Sequence, residues 1–128
     1  MAVAFFALCL SACGGVDYSD PESVAGAAMD CYVDNDYEGM IKLVDPSNTF
    51  KIEQLTKMAE AVKQNSGTPT STNRSAKFDT LVHSRMYPNE ASAYYKYTFT
   101  DKNGEENTWR MEVVLEKKDS KWWVSGIK

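Results

Sequence analysis

His83 is the only histidine in the 128 residues, so imidazole chemistry has a single candidate and no Cys–His set can hold zinc. The groups that could act as acid, base or proton relay are Asp79, His83 and Tyr94. All three fall in alternating apolar–polar segments, at positions on the face opposite the large apolar residues. No Ser-His-Asp set and no glycine-rich phosphate loop can be read from the spacing. The chain is therefore expected not to be an enzyme, with no catalytic residue and no cofactor. Asp34-Asn35-Asp36-Tyr37-Glu38-Gly39 spells the opening of a calcium loop. Lys42 then occupies its ninth position, where it would repel the ion, and Asp45 stands at the twelfth instead of a bidentate Glu. Asp36 reads better as the cap of a short helix, and no metal is expected.

Charge excludes one further class. The net charge of −4 gives no reason to expect nucleic-acid binding. The charge is unevenly spread: residues 1–50 hold eight acids and one base, and residues 51–128 hold ten acids and thirteen bases. An acidic N-terminal half is joined to a mildly basic C-terminal one.

Cys13 carries the most specific chemistry. Residues 2–10 are nine apolar residues without a charge, too few to span a bilayer but right for the apolar region of a secretory leader. Leu10-Ser11-Ala12-Cys13 follows, then two glycines. This resembles the lipobox of bacterial lipoproteins, which implies a leader over 1–12 and a diacylglycerol thioether at Cys13. Two or three acyl chains, each worth about 0.8 kcal/mol per buried CH₂, would hold the chain at a membrane. The expected location is the bacterial cell envelope, facing the periplasm or the exterior. Cys9 would leave with the leader and Cys13 would be acylated, so Cys31 would stand alone without an intrachain disulfide.

The elements that must position the rest divide cleanly. Residues 13–19 read as the lipidated Cys and a polar linker, and 20–128 as one domain. Asp20-Pro21-Glu22 is a helix start, and Val24, Ala27, Ala28, Cys31 and Tyr32 make the apolar stripe of a helix over about 21–34. Asp36 caps a second, short helix ended by Asp45-Pro46. Ser47 or Asn48 caps a third, with Ile52, Leu55, Met58, Ala59 and Val62 facing the core. Residues 67–76 read as a loop. After residue 76 the period changes from 3.6 to 2, and strands are expected at about 77–86, 91–100, 106–117 and 121–127.

Alternation sets the pairing. The expected cross-strand partners are Tyr97 with Trp109, Tyr95 with Met111, Leu115 with Val124, Phe78 with Phe99 and Val82 with Tyr95. One face then carries Phe78, Tyr95, Tyr97, Phe99, Trp109 and Trp122, as core or as the lining of a ligand pocket, with Tyr95, Tyr97, Trp109 and Trp122 its candidate contacts. Trp109 is expected to be buried and Arg110 exposed. The other face carries Leu81, His83, Tyr94, Lys96, Arg110, Val114, Trp123 and Ile127. Of these, Tyr94, Arg110, Val114, Trp123 and Ile127 form a candidate surface for a second copy or an envelope-protein partner.

Three helices before a meander that ends in Lys121-Trp122-Trp123-Val124, together with Asp20–Val24 and 34–46, resemble the nuclear-transport-factor-2-like (cystatin-like) fold. More narrowly, they resemble small bacterial lipoproteins carrying a domain once labelled lumazine-binding-like. The resemblance implies an α+β domain, with three N-terminal helices packed on a curved four-stranded antiparallel meander in a cone. That fold serves enzymes, transport factors and binding modules alike, so it does not choose among them. The expected function is a lipid-anchored extracytoplasmic binding or interaction module. The alternatives are a small-ligand binder using the aromatic interior and an isomerase- or dehydratase-like enzyme.

Overall fold

A computed structural model describes residues 15–64 and 72–128. Helix α1 spans Pro21–Val33, α2 Tyr37–Ile41 and α3 Thr49–Gln64. Strands β1 (Thr72–His83), β2 (Glu90–Thr100), β3 (Glu106–Lys118) and β4 (Lys121–Ile127) form one antiparallel sheet in the order β1-β2-β3-β4. The expected α+β architecture of three helices and a four-stranded meander is present.

Each helix starts where its cap predicts. The Asp20 carboxylate accepts from the Glu22 N–H at 3.0 Å ahead of Pro21. Asp36 accepts from the Gly39 N–H at 3.0 Å, so the carboxylate that would have opened a calcium loop serves α2. Asn48, not Ser47, caps α3, accepting from the Lys51 N–H at 3.1 Å. Such caps are typically worth about 1 kcal/mol each.

The two C-terminal hairpins keep the expected register: Tyr97 faces Trp109, Tyr95 faces Met111, and Leu115 faces Val124. Asp101 accepts from the N–H groups of Asn103 and Glu105, and Gly104 takes the left-handed conformation (φ +82°) that this turn demands.

The first hairpin differs. β1 begins at Thr72, inside the stretch read as a loop, and ends at His83, where Ser84 N–H bonds Glu90 O across the turn. Phe78 therefore faces Tyr95 instead of Phe99, and Val82 faces Ser92 instead of Tyr95. A bulge between Phe78 and Thr80 inserts one extra residue and turns the strand over. Leu81 and His83, expected outside, consequently lie on the helix-covered face; Leu81 packs on the core and the His83 ring meets Trp122 at 5.9 Å. A further irregularity between Val114 and Leu115 does the same to Ile127, which faces Val113 and packs on the core instead of joining the outer surface.

The core lies between α1 and the sheet. Val24, Ala25, Ala28 and Met29 meet Ala91, Ala93, Tyr95, Val113, Leu115, Trp122 and Val124. The alanines on both sides let the helix lie close to the strands, and the buried large side chains contribute about 1.5–3 kcal/mol each. Met29, rather than Cys31 or Tyr32, is the largest fully buried residue of the helix. The edge of β4 is sealed: Val124 N–H bonds Leu43 O and Trp122 N–H bonds Tyr18 O, each at 2.8 Å. Residues expected as a free linker thus pack on the domain, for Val16 and Tyr18 both touch the core. Helix α3 packs on α2 and the turn after it, Leu55 meeting Met40 and Val44, with Ile127 of β4 against the same cluster. No helix among the described residues is long and apolar enough to cross a membrane.

Candidate functional site

The aromatic interior is filled. Tyr95, Tyr97 and Trp122 are buried under α1. Gly26 of α1 passes so near Tyr95 that a Cβ there would sit 3.6 Å from its hydroxyl. Burial pushes that hydroxyl up to about 12, as expected of a core phenol. Trp109, the fourth candidate contact, is not buried: it is 56% exposed. The reason is the length of α1. The helix ends at Val33 with Tyr32 edge-on to Tyr97 at 5.4 Å, and the sheet runs on beyond it. Phe99 and Trp109 occupy that uncovered end, ring against ring at 5.3 Å.

The outer sheet face spends its groups on itself. Arg110 lies over the Tyr94 ring at 4.5 Å and reaches the Asp79 carboxylate at 3.2 Å. Trp123 stacks on Tyr18 at 5.2 Å and is half-buried, as is Val114. Of the expected partner surface, Tyr94, Arg110, Val114 and Trp123 share the face, while Ile127 has left it.

Of the acid–base candidates, Asp79 and Tyr94 are brought together at Arg110, and His83 is apart from them. Asp79 is tied to Arg110, Tyr94 lies beneath that guanidinium, and His83 stands on the opposite face against Trp122. Of the calcium-like carboxylates, Asp36 caps α2, and Asp45 is held by Lys118 and the Ser47 N–H.

Two openings of ligand size are present among the described residues: one of about 470 Å³, with Phe78, Tyr95, Trp109 and Arg110 in its lining, and a more apolar one elsewhere. A groove of about 540 Å³ runs between α3 and the end of β4, floored by Tyr32, Met40, Val44, Leu55, Val124 and Ile127. Its α3 wall carries Phe50, Gln54 and Met58, spaced four residues apart along one helix face. Phe50 is 71% exposed and Met58 44% exposed, because the Ile52–Leu55–Ala59 stripe, not theirs, meets α2. Placing Met58 in the buried stripe hid this wall from the sequence reading; Phe50, four residues before Gln54, was the signal for it.

A second group missed in the sequence is Arg74, which fell in the presumed loop. Its Nε donates to the Tyr97 hydroxyl at 2.7 Å and its Nη2 to the Tyr32 carbonyl at 2.9 Å. The guanidinium stands over both rings, 5.6 Å from the centroid of Tyr32 and 5.7 Å from that of Tyr97. Cys13 and the Leu10–Ala12 segment lie outside the described residues.

No known family profile matches the sequence, and no curated protein matches it. Solved structures do. The chain is similar to a SEC-C motif containing protein from Rhodopseudomonas palustris, with a TM-score of 0.62 at 12% identity, over 93% of this chain and 84% of that one. It is also similar to a design of the nuclear-transport-factor-2 type, Rd1NTF2_05 carrying further substitutions, with a TM-score of 0.53 at 15% identity, over 80% of this chain and 90% of that one. A nuclear-transport-factor-2-like transpeptidase from Campylobacter jejuni aligns at a TM-score of 0.48 and 17% identity, over 82% and 96% of the two chains. The fold is thus nuclear-transport-factor-2-like. At these identities the likeness fixes the fold and leaves the chemistry to this chain's own residues.

Proposed function

We propose that this protein is a non-enzymatic binding module, anchored by lipid at Cys13 in the bacterial envelope, whose working surface is the groove between α3 and β4. The observation that carries this reading is the exposure of Phe50 and Met58 along a groove of about 540 Å³. Apolar side chains rimming a concavity of that size are what a ligand or a partner segment buries. The burial of Tyr95, Tyr97 and Trp122 under α1 favours the groove over the aromatic interior as the working surface. Asp79 and Tyr94 are both engaged by Arg110 while His83 lies on the opposite face, which favours a binding reading over an isomerase-like one. The anchor reading rests on Leu10-Ser11-Ala12-Cys13 after nine apolar residues.

Two measurements test the reading. Labelled palmitate should enter the wild-type chain in cells and not the Cys13→Ser variant; equal labelling would remove the anchor. A photo-crosslinking residue at Gln54, in the groove wall, should give adducts, and the same residue at Thr98 on the outer sheet face should give none. Adducts from Thr98 alone, or from neither position, would remove the groove as the working surface.

A further inference from the structure

Arg74 is half-buried, yet it has no carboxylate partner. None is hidden in the undescribed stretches either, because residues 1–14 and 65–71 contain no Asp or Glu. A cation removed from water usually finds an anion. Here two tyrosine rings and two hydrogen bonds hold it instead.

The way those bonds are placed matters. The Nε–H and one N–H of Nη2 are spent on Tyr97 and Tyr32. The remaining edge, Nη1 with the second N–H of Nη2, has no partner among the described residues, and the two bonds hold the plane of the group. That edge is the fork that takes a carboxylate by two parallel hydrogen bonds. From Tyr97, which Arg74 bonds, an aromatic chain runs on: Tyr97 meets Phe99 at 5.5 Å, and Phe99 meets the exposed Trp109 at 5.3 Å.

We propose that Arg74, with the Phe99–Trp109 wall beyond the end of α1, is a binding site for a small carboxylate carrying an aromatic body. The carboxylate closes on the free end of the guanidinium, and the ring packs on Phe99 and Trp109. The fixed fork and the half-desolvated setting strengthen the ionic contact relative to one made in open water. The site lies at the end of the sheet where β2 turns into β3. It adjoins the α3–β4 groove through Tyr32, which serves both, and it does not depend on the anchor.

The test is calorimetric titration of the full chain with phenylacetate and with phenylacetamide, which matches its shape and lacks its charge. Phenylacetate should bind at least about tenfold more tightly than the amide, since the fork–carboxylate bonds are lost. Arg74→Lys keeps the cation and can still reach the Tyr97 hydroxyl, but it has no fork; it should lose at least about tenfold in phenylacetate affinity while keeping its thermal midpoint. Arg74→Gln should show no preference for the carboxylate over the amide. Equal binding of the two probes by the wild type, no binding of either, or an Arg74→Lys variant as tight as wild type would each overturn the site. Should Arg74→Gln fail to fold, the two-probe comparison on the wild type and Arg74→Lys still decides the matter.

Discussion

Lys118, at the last position of β3, reaches Asp45 in the segment between α2 and α3: its Nζ donates to Oδ2 at 3.0 Å and to the Ser47 hydroxyl at 2.9 Å. Asp45 is the one charged residue of the described chain that is buried. Its other oxygen accepts from the Ser47 N–H. This latch ties the turns over 42–47, just ahead of α3, to the end of β3; the Leu43 carbonyl in those turns takes the Val124 N–H of β4.

The latch gives a pH dependence. The Ser47 N–H foremost, then Lys118, hold the Asp45 carboxyl below its ordinary range. A carboxylate depressed in the folded state stabilises the fold fully above its unfolded value, and that stabilisation is lost as pH falls through the folded one. Asp45→Asn should therefore flatten the acid limb of a stability–pH curve below about pH 4 without altering its shape near neutrality. Urea melts at a series of pH values check this, and an unchanged acid limb would mean the latch is energetically silent.

The two tryptophans of the apolar face should behave oppositely. Trp122→Ala empties a buried site and should cost about 3–5 kcal/mol. Trp109→Ala removes an exposed ring that rests on Phe99 and should cost about 1 kcal/mol or less. Denaturant midpoints of the two variants rank them directly.

Gly26 is a glycine in mid-helix with room to spare. An added Cβ would meet only the Tyr95 hydroxyl, at an ordinary 3.6 Å. Gly26→Ala should stabilise by about 0.5–1 kcal/mol through helix propensity and reduced freedom of the unfolded chain. A lower midpoint for the variant would show that α1 sits closer to β2 than these distances imply.

Cys31 should be a poor nucleophile. Burial first, then the negative charge of Asp36, Asp30 and Asp34, pushes its thiol up to about 11. At pH 8 it should react with iodoacetamide roughly a hundredfold more slowly in the folded chain than in urea. Peptide-resolved alkylation followed by mass spectrometry measures both rates.

Much of the fold was legible because local signals agreed. Asp20, Asp36 and Asn48 cap helices as their sequence context implies, and Gly104 marks the turn that pairs Tyr97 with Trp109. What alternation could not reveal were the three places where a strand gains a residue, between Thr72 and Ser75, between Phe78 and Thr80, and in β4 opposite Val114 and Leu115. A bulge leaves the period intact on either side and changes only its phase, which is why Leu81, His83 and Ile127 were assigned to the wrong face. Trp109 was misjudged for a different reason: its position in the register was right, but burial depended on where α1 stops. The α3 wall and Arg74 depend on tertiary placement in the same way, since no short-range pattern says which face of a helix α2 will cover or that an arginine will lie on two tyrosines.

The two borders of the sheet are unlike. Along β4 the outward amides of Trp122 and Val124 are taken up by Tyr18 and Leu43, whereas among the described residues no strand lies alongside the outer side of β1. A chain with one vacant border can join a second copy there and make a continuous eight-stranded ribbon. Among the described residues, that union uses the open border of each copy and leaves the covered β4 border outward, so strand pairing of this kind closes at two.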